Sequence, residues 1–292
     1  MKIAIYGRTV PENKTSCVQE LFAELEKNKV SLCVHHSLLE YISDTVKLEH
    51  PAETFQTHDD IRSKIDFMIC LGGDGTILDA LTFIRNSGIP VLGINTGRLG
   101  FLAGVAKDEV KDAVNALIAK KYSLDKRSLL KLETRHDLFG DVNYALNELT
   151  VLKKDSSAMM TIHAYINGEF LNSYWADGLI ISTPTGSTAY SLSCGGPIMV
   201  PDSKSFIITP ISPHNLNVRP LIVSDDCVLT LRLEGRSSEF LASLDSRTAV
   251  FPASEELTVT KGDFRFNLLK LKNNHFFNTI RNKLMWGVDK RN

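Results

Sequence analysis

At 292 residues the chain has room for about two domains of roughly 150 residues each, with a core that needs no disulfide or structural metal. Hydrophobic residues at 43% and charged residues at 23% make a globular composition and exclude disorder. Lys plus Arg at 33 against Asp plus Glu at 34 leaves a formal charge of -1, which excludes a strongly basic nucleic-acid binder and a polybasic membrane sensor.

Along the first 125 residues, strands and helices alternate. Lys2 to Tyr6 is a short apolar run ending at Gly7 and predicts a first strand. Cys17 to Glu26 places Val18, Leu21, Phe22 and Leu25 on one helical face. Ile65 to Leu71 is continuously apolar, as expected of a strand covered on both faces of a parallel sheet. Gly72-Gly73-Asp74-Gly75 stops it, and Thr76 to Ile84 resumes as a helix. Ile89 to Ile94 predicts another buried strand and Val110 to Ile118 a further helix. From about Ser128 the chain turns to short runs rich in Val, Ile, Thr and Tyr. Met160 to Ile166 and Phe170 to Trp175 flank Asn167-Gly168, a strong hairpin signal. Val228 to Leu233, Glu239 to Ser243 and Glu256 to Thr260 continue the pattern, and Phe276 to Met285 predicts a last helix. The fold expected is therefore α/β plus all-β. An open, mostly parallel sheet domain spans residues 1–125, a β-sandwich spans 126–271, and a helix in 272–292 returns to the first domain.

Cys17, Cys33, Cys70, Cys194 and Cys227 are odd in number and widely spaced, with no C-x-x-C pair. That disfavours a disulfide framework or a zinc site and suits a reducing compartment. The apolar start of the chain is too short for a signal peptide, and no stretch reaches the ~18 residues of a membrane span. The expectation is a cytoplasmic protein without a membrane partner.

The chemistry concentrates at Gly72-Gly73-Asp74-Gly75-Thr76, between a buried strand and a helix. Glycines there let backbone N–H groups approach a ligand, and the helix adds its positive end; together they make a phosphate cradle. A carboxylate in such a cradle repels phosphate unless a divalent cation intervenes or the group takes a proton from the substrate. The alternative is a tight turn in which Asp74 caps the helix. No P-loop, no G-x-G-x-x-G after the first strand, and no H-R-D or D-F-G motif is present.

The pentapeptide resembles the phosphate signature shared by NAD kinases, diacylglycerol and sphingosine kinases, and 6-phosphofructokinases. Downstream segments resemble the NAD kinase family in particular: Asn95 to Leu102, Asn147-Glu148, Asp177 to Ser193 with Gly195-Gly196-Pro197, Pro210 to His214, Arg219-Pro220-Leu221, and Leu244-Asp245-Ser246. The match runs from about residue 65 to 285 in family order. It implies transfer of the terminal phosphoryl of ATP to the 2′-hydroxyl of the adenosine ribose of NAD, with a divalent cation such as Mg2+, in a homodimer or homotetramer.

By the same resemblance Asp74 is the general base, and Gly72, Gly73, Gly75 and Thr76 bind phosphate. Asp74 and Gly75, with Asn147, Glu148 and Asp177, would hold the dinucleotide. Thr185, Thr188, Ala189, Tyr190, Ser191, Leu192 and Ser193 would form a nucleotide loop. Arg98 and His214 are further positions where the family suggests contact, although a solvated loop Arg or a backbone-held His fits the sequence equally well. Three positions depart from the family's common residues. Trp175 stands where a basic residue is frequent, and is either a hairpin core residue or a nucleotide contact. Arg247 stands where an amide is frequent and would touch a phosphate or shift preference between NAD and NADH. Ala158 stands where some relatives are polar, so contact there would be backbone or apolar. No metal ligand is identifiable. The competing readings are a lipid kinase of the diacylglycerol kinase type and a non-catalytic NAD-binding regulatory module.

Overall fold

The computed structural model describes the chain apart from residues 9–14, 47, 98–99, 155–158, 272–274 and 287–292. It divides into two compact units, Met1–Lys126 with Asn267–Asn292, and Arg127–Phe266.

The first unit is built on one sheet. Its strands lie in the order Glu53–Phe55, Ser31–His35, Lys2–Gly7, Phe67–Leu71, Val91–Asn95, Phe266–Leu271 and Tyr122–Arg127, with Val105–Ala106 beside Val91–Asn95. Lys2–Gly7 pairs in parallel with Ser31–His35 on one side and with Phe67–Leu71 on the other. Phe67–Leu71 then pairs in parallel with Val91–Asn95. The chain thus builds outward from Lys2–Gly7 in one direction and restarts on its other flank. Ligands of open α/β sheets bind at the carboxyl ends of strands where the order reverses in this way. The apolar runs read from the sequence become these central strands because both faces are covered. Val18, Leu21, Phe22 and Leu25 of the helix Thr15–Lys27 pack with Ile3, Ile5, Ile69 and Leu71 in one core. Ile77, Ala80, Leu81 and Ile84 of the helix Asp74–Ile84 are also buried.

The second unit has two six-stranded antiparallel sheets among the described residues. One runs Leu221–Ser224, Ser205–Ile211, Gly178–Ser182, Glu148–Lys153, Glu239–Leu244, Arg247–Pro252. The other runs Glu169–Ala176, Met160–Ile166, Leu229–Gly235, Leu257–Lys261, Leu130–Glu133, Tyr144–Ala145. Leu149, Val151, Phe206 and Phe240 from the first share a core with Ile162, Leu231 and Val259 from the second, which makes the sandwich. The expected hairpin forms at Asn167-Gly168, both with positive φ (51° and 83°), the twist that suits a two-residue turn.

Two features differ from the sequence reading. Re-entry into the first unit begins at Asn267, one strand before the boundary expected at 271/272, because Phe266–Leu271 joins the parallel sheet through Leu268 opposite Val91. Ser31–His35, an apolar run of only three residues between polar ends, and Glu53–Phe55, with a single apolar residue, are not read as strands from the sequence, yet they complete one flank of that sheet. The returning helix is Phe276–Leu284, in the first unit.

Phe206 is fully buried in the sandwich core, whereas Leu216 is 89% exposed. Phe206→Ala is expected to lower unfolding free energy by about 3–5 kcal/mol and Leu216→Ala by less than about 0.5 kcal/mol, as measured by chemical denaturation.

Candidate active site

The glycine turn follows Phe67–Leu71 directly, at the carboxyl end of the strand where the order reverses. Gly72 N–H donates to the Ile94 carbonyl at 3.0 Å, and Gly73 is the N-cap of the helix Asp74–Ile84. Asp74 therefore lies inside the helix rather than at its cap, and no side-chain cap bond forms. Its carboxylate turns instead to a distant loop. Oδ2 accepts from the Phe101 amide at 2.8 Å, and Oδ1 accepts from Leu102 and Ala103, each at 3.0 Å. A Cβ on Gly100 would fall 1.8 Å from Oδ1, so the loop comes this close only because residue 100 is glycine. Gly72 is constrained in the same way, since a Cβ there would meet Thr76 Oγ1 at 2.1 Å. Around Gly73 and Gly75, by contrast, an added Cβ finds nothing within 4 Å.

Across the same strand reversal, Gly7 pairs with Leu71, which sets Arg8 beside Gly72 in register. Arg8 Nε and Nη2 hold Asp79 at 2.5 and 2.7 Å, and the Tyr6 hydroxyl donates to Asp79 at 2.9 Å. Burial and the adjacent Asp79 carboxylate push the Tyr6 phenol well above its ordinary range. Lys283 of the last helix lies 4.6 Å from the Phe101 ring. Arg8, Asp79 and Lys283 are not among the residues singled out from the sequence, and Gly100 is, only as part of the segment Asn95 to Leu102.

In the second unit, Asn147 and Glu148 are buried at the start of the strand Glu148–Lys153. Asp245 fixes the turn that carries them. Its carboxylate accepts from the amides of Leu146 and Asn147 at 2.8 Å and of Glu148 at 3.2 Å. Its own amide donates back to the Glu148 carbonyl at 3.1 Å. The Thr183 hydroxyl donates to the Leu146 carbonyl at 2.6 Å, and Gly186 packs so tightly on Asn147 that a Cβ would meet its carbonyl oxygen at 2.2 Å. Burial, then the charge of Asp245, pushes the Glu148 carboxyl up to about 8. Burial likewise raises Asp245, against the amides and Arg247.

The segment read as a nucleotide loop is a 3-10 turn, Gly186–Thr188, followed by a helical turn, Tyr190–Ser193. Tyr190 and Ser193 are exposed, and Thr188, Ala189 and Leu192 half-buried. Thr185 is buried and accepts from Arg127 at 3.1 Å. Ser191 is buried too, with its hydroxyl engaged by Thr209 at 2.8 Å. Asp177 pairs with Lys153 at 2.6 Å. Trp175 is 47% exposed rather than a core residue, with its ring 5.1 Å from that of His214. Arg247 turns inward, donating to the carbonyls of Val142 and Tyr144. Ala158 and Arg98 lie outside the described residues. Among the described residues no group of three or more His, Cys, Asp or Glu is placed to hold a metal ion.

Two family models match the chain: ATP-NAD kinase N-terminal domain over residues 3–122 and ATP-NAD kinase C-terminal domain over residues 146–271. An NAD kinase of Cytophaga hutchinsonii is 49% identical over 293 residues, covering all of both chains. One from Bacteroides fragilis is 44% identical over 291 residues, again covering all of both. Among solved structures, yeast NADH kinase complexed with NADH aligns with a TM-score of 0.88 at 26% identity, covering 99% of this chain and 89% of that one. An NAD kinase from Archaeoglobus fulgidus in complex with ATP aligns at 0.75 and 24% identity, over 98% and 99% of the two chains, a likeness of fold.

The two kinds of glycine are separable by stability. Gly100→Ala must displace the Asp74 carboxylate and is expected to lower unfolding free energy by about 1–3 kcal/mol. Gly73→Ala, at φ -95° with open space around it, is expected to change it by less than about 1 kcal/mol in the same denaturation experiment.

Proposed function

The chain belongs to the NAD kinase family, and from that premise we propose how its residues phosphorylate NAD. The reaction moves the terminal phosphoryl of ATP to the 2′-hydroxyl of the adenosine ribose, giving NADP and ADP. The observation that carries the residue assignment is the setting of Asp74, at the strand reversal and held by three successive amides. A carboxylate oxygen has two lone pairs. Leu102 and Ala103 occupy both on Oδ1, and Phe101 occupies one on Oδ2, which leaves Oδ2 one direction for a substrate hydroxyl. In the proposed step the ribose O–H gives its proton to Asp74 as the oxygen bonds to the γ-phosphorus. The bond from phosphorus to the ADP oxygen breaks, and ADP leaves. A carboxylate is a weak base at neutral pH, so proton transfer accompanies attack on a loosely bonded phosphoryl group instead of preceding it.

Gly73 and Gly75, whose open flanks leave the backbone accessible, receive the phosphates together with the helix N-terminus and Thr76. The solved relative in complex with ATP supports ATP as donor. No group of three or more acidic, His or Cys side chains is gathered among the described residues, and a divalent cation, Mg2+ in this reading, would come with the triphosphate as part of the donor. Asn147, Glu148, Asp177 and the segment Thr185 to Ser193 are assigned to the dinucleotide. Exposed Tyr190 and Trp175 offer flat faces to a base. The buried hydroxyls of Thr185 and Ser191 shape the segment. Arg247, engaged with carbonyls, acts through the backbone it holds rather than on a phosphate.

A homodimer or homotetramer is what the family resemblance implies, with closed symmetry the usual arrangement, and Leu221 and Ile222 stand exposed on an edge strand of the sandwich. A reducing cytoplasm suits five cysteines with no disulfide among them. No helix among the described residues is long and apolar enough to cross a membrane.

Asp74→Asn is expected to keep the fold and NAD affinity while lowering kcat by about 10²–10⁴-fold; near-normal turnover would remove Asp74 from the role of base. NADP formation assayed with NAD or NADH against ATP, other triphosphates and polyphosphate, with and without Mg2+, is expected to show turnover with NAD, ATP and the cation together. Tight NAD binding without turnover under any condition would favour a non-catalytic module.

A further inference from the structure

Glu148 stands apart from every other carboxylate near the sites described. It is buried to 9% exposure, and its Oε2 has no hydrogen-bond partner. Asp245, half-buried, lies against the same turn and is fixed there by three amides and a return bond from its own N–H. The groups around Glu148 can be named element by element. Ser182 is its neighbour across the strand pair, and Asp245 follows the strand Glu239–Leu244. Arg247 opens the next strand, and Cys194 follows the helical turn Tyr190–Ser193. The one cation among these, Arg247, faces Asp245 and donates to the carbonyls of Val142 and Tyr144. Cys194 feels the charge of Glu148 and is itself raised, chiefly by burial, so it supplies no cation either. A buried carboxylate oxygen with no donor is costly, and two neighbouring carboxyls do not both ionise without compensation.

We propose that Asp245 and the buried Glu148 form a carboxyl pair carrying one proton at neutral pH, in which Asp245 positions the turn and Glu148 meets the dinucleotide as a hydrogen-bond donor instead of an anion. The assignment rests on the dinucleotide reading of Asn147-Glu148 given above. Asp245 holds negative charge more readily because three amides point at it, so the proton resides on Glu148. Its O–H then suits an acceptor oxygen of the ribose or pyrophosphate, and a neutral group there spares the anionic substrate a like-charge repulsion. Burial beside Asp245 lifts the Glu148 carboxyl to about 8, the same state read from electrostatics.

The sign follows directly: below about pH 8 Glu148 is neutral and able to donate, and above it the donor is lost. The test has two arms. In the first, the free protein labelled with 13C at Glu carboxyls is titrated by NMR, with Glu148→Gln assigning the resonance. A midpoint near 8 that falls in Asp245→Asn supports the pair, and a midpoint in the ordinary carboxylate range overturns it. Should Asp245→Asn fail to fold, the wild-type titration still decides. In the second arm, KM for NAD is expected to rise about tenfold between pH 7 and pH 9 with kcat changing far less, and Glu148→Gln is expected to abolish that rise. A raised midpoint with a flat KM profile would overturn the contact with the substrate while leaving the pair intact. Absence of NADP formation would overturn the kinase reading instead.

Discussion

One contact organises the first unit's chemistry: the Asp74 carboxylate against the amides of Phe101, Leu102 and Ala103. Hydrogen bonds to a charged acceptor are among the stronger ones a protein makes, each worth about 1.5–3 kcal/mol net. Three on one carboxylate fix its position and its rotation. They also decide which lone pair remains for a substrate. That contact in turn depends on Gly100, where any side chain would collide with Oδ1, and on the strand reversal that brings the turn after Phe67–Leu71 next to the loop after Val91–Asn95. A carboxylate on a mobile stem would spend most of its time misdirected, and catalysis of phosphoryl transfer is largely a matter of placement.

The second unit uses the same device for a different end. Asp245 also binds three successive amides, those of Leu146, Asn147 and Glu148, and it does so from a left-handed backbone conformation at φ 53°. Such runs of N–H groups make concavities suited to an anion. In the first unit the anion in the concavity is the group we propose as the base, partly exposed. In the second it is also half-buried, and the groups we propose for the dinucleotide are side chains of the residues that supply the amides.

This explains which parts of the site could be read from the sequence. Gly72 to Thr76 are contiguous, so the strand, the turn and the helix announce one another, and Asn167-Gly168 announces a hairpin in the same local way. The amides that hold Asp74 lie 27 to 29 residues away, and those that hold Asp245 lie 97 to 99 residues away. Backbone N–H groups belong to every residue type except proline, so neither partnership leaves a mark in the sequence. The long segment from Asp177 to Ser193 was conspicuous, but its residues divide once folded. Ser191 is committed to Thr209 and to the close approach of Gly196, while Tyr190 and Ser193 face outward. A motif records what is kept together, without distinguishing the hydroxyl that shapes a turn from the one that faces a ligand.

The glycines of the first unit's turn sharpen that distinction. Gly72 is explained by its neighbour, since Thr76 occupies the space a side chain would need. Gly73 and Gly75 have no such neighbour, and Gly73 at φ -95° needs no unusual backbone angle. Neither a steric contact nor an unusual backbone angle requires glycine at 73 or 75, and the N-cap preference for glycine over alanine at 73 is worth only about 1 kcal/mol. What a methyl group would obstruct is the approach of something else to the backbone N–H groups at the positive end of the helix. The space left beside Gly73 and Gly75 suits the phosphate proposed to bind there, next to a carboxylate already held in place by amides from another loop.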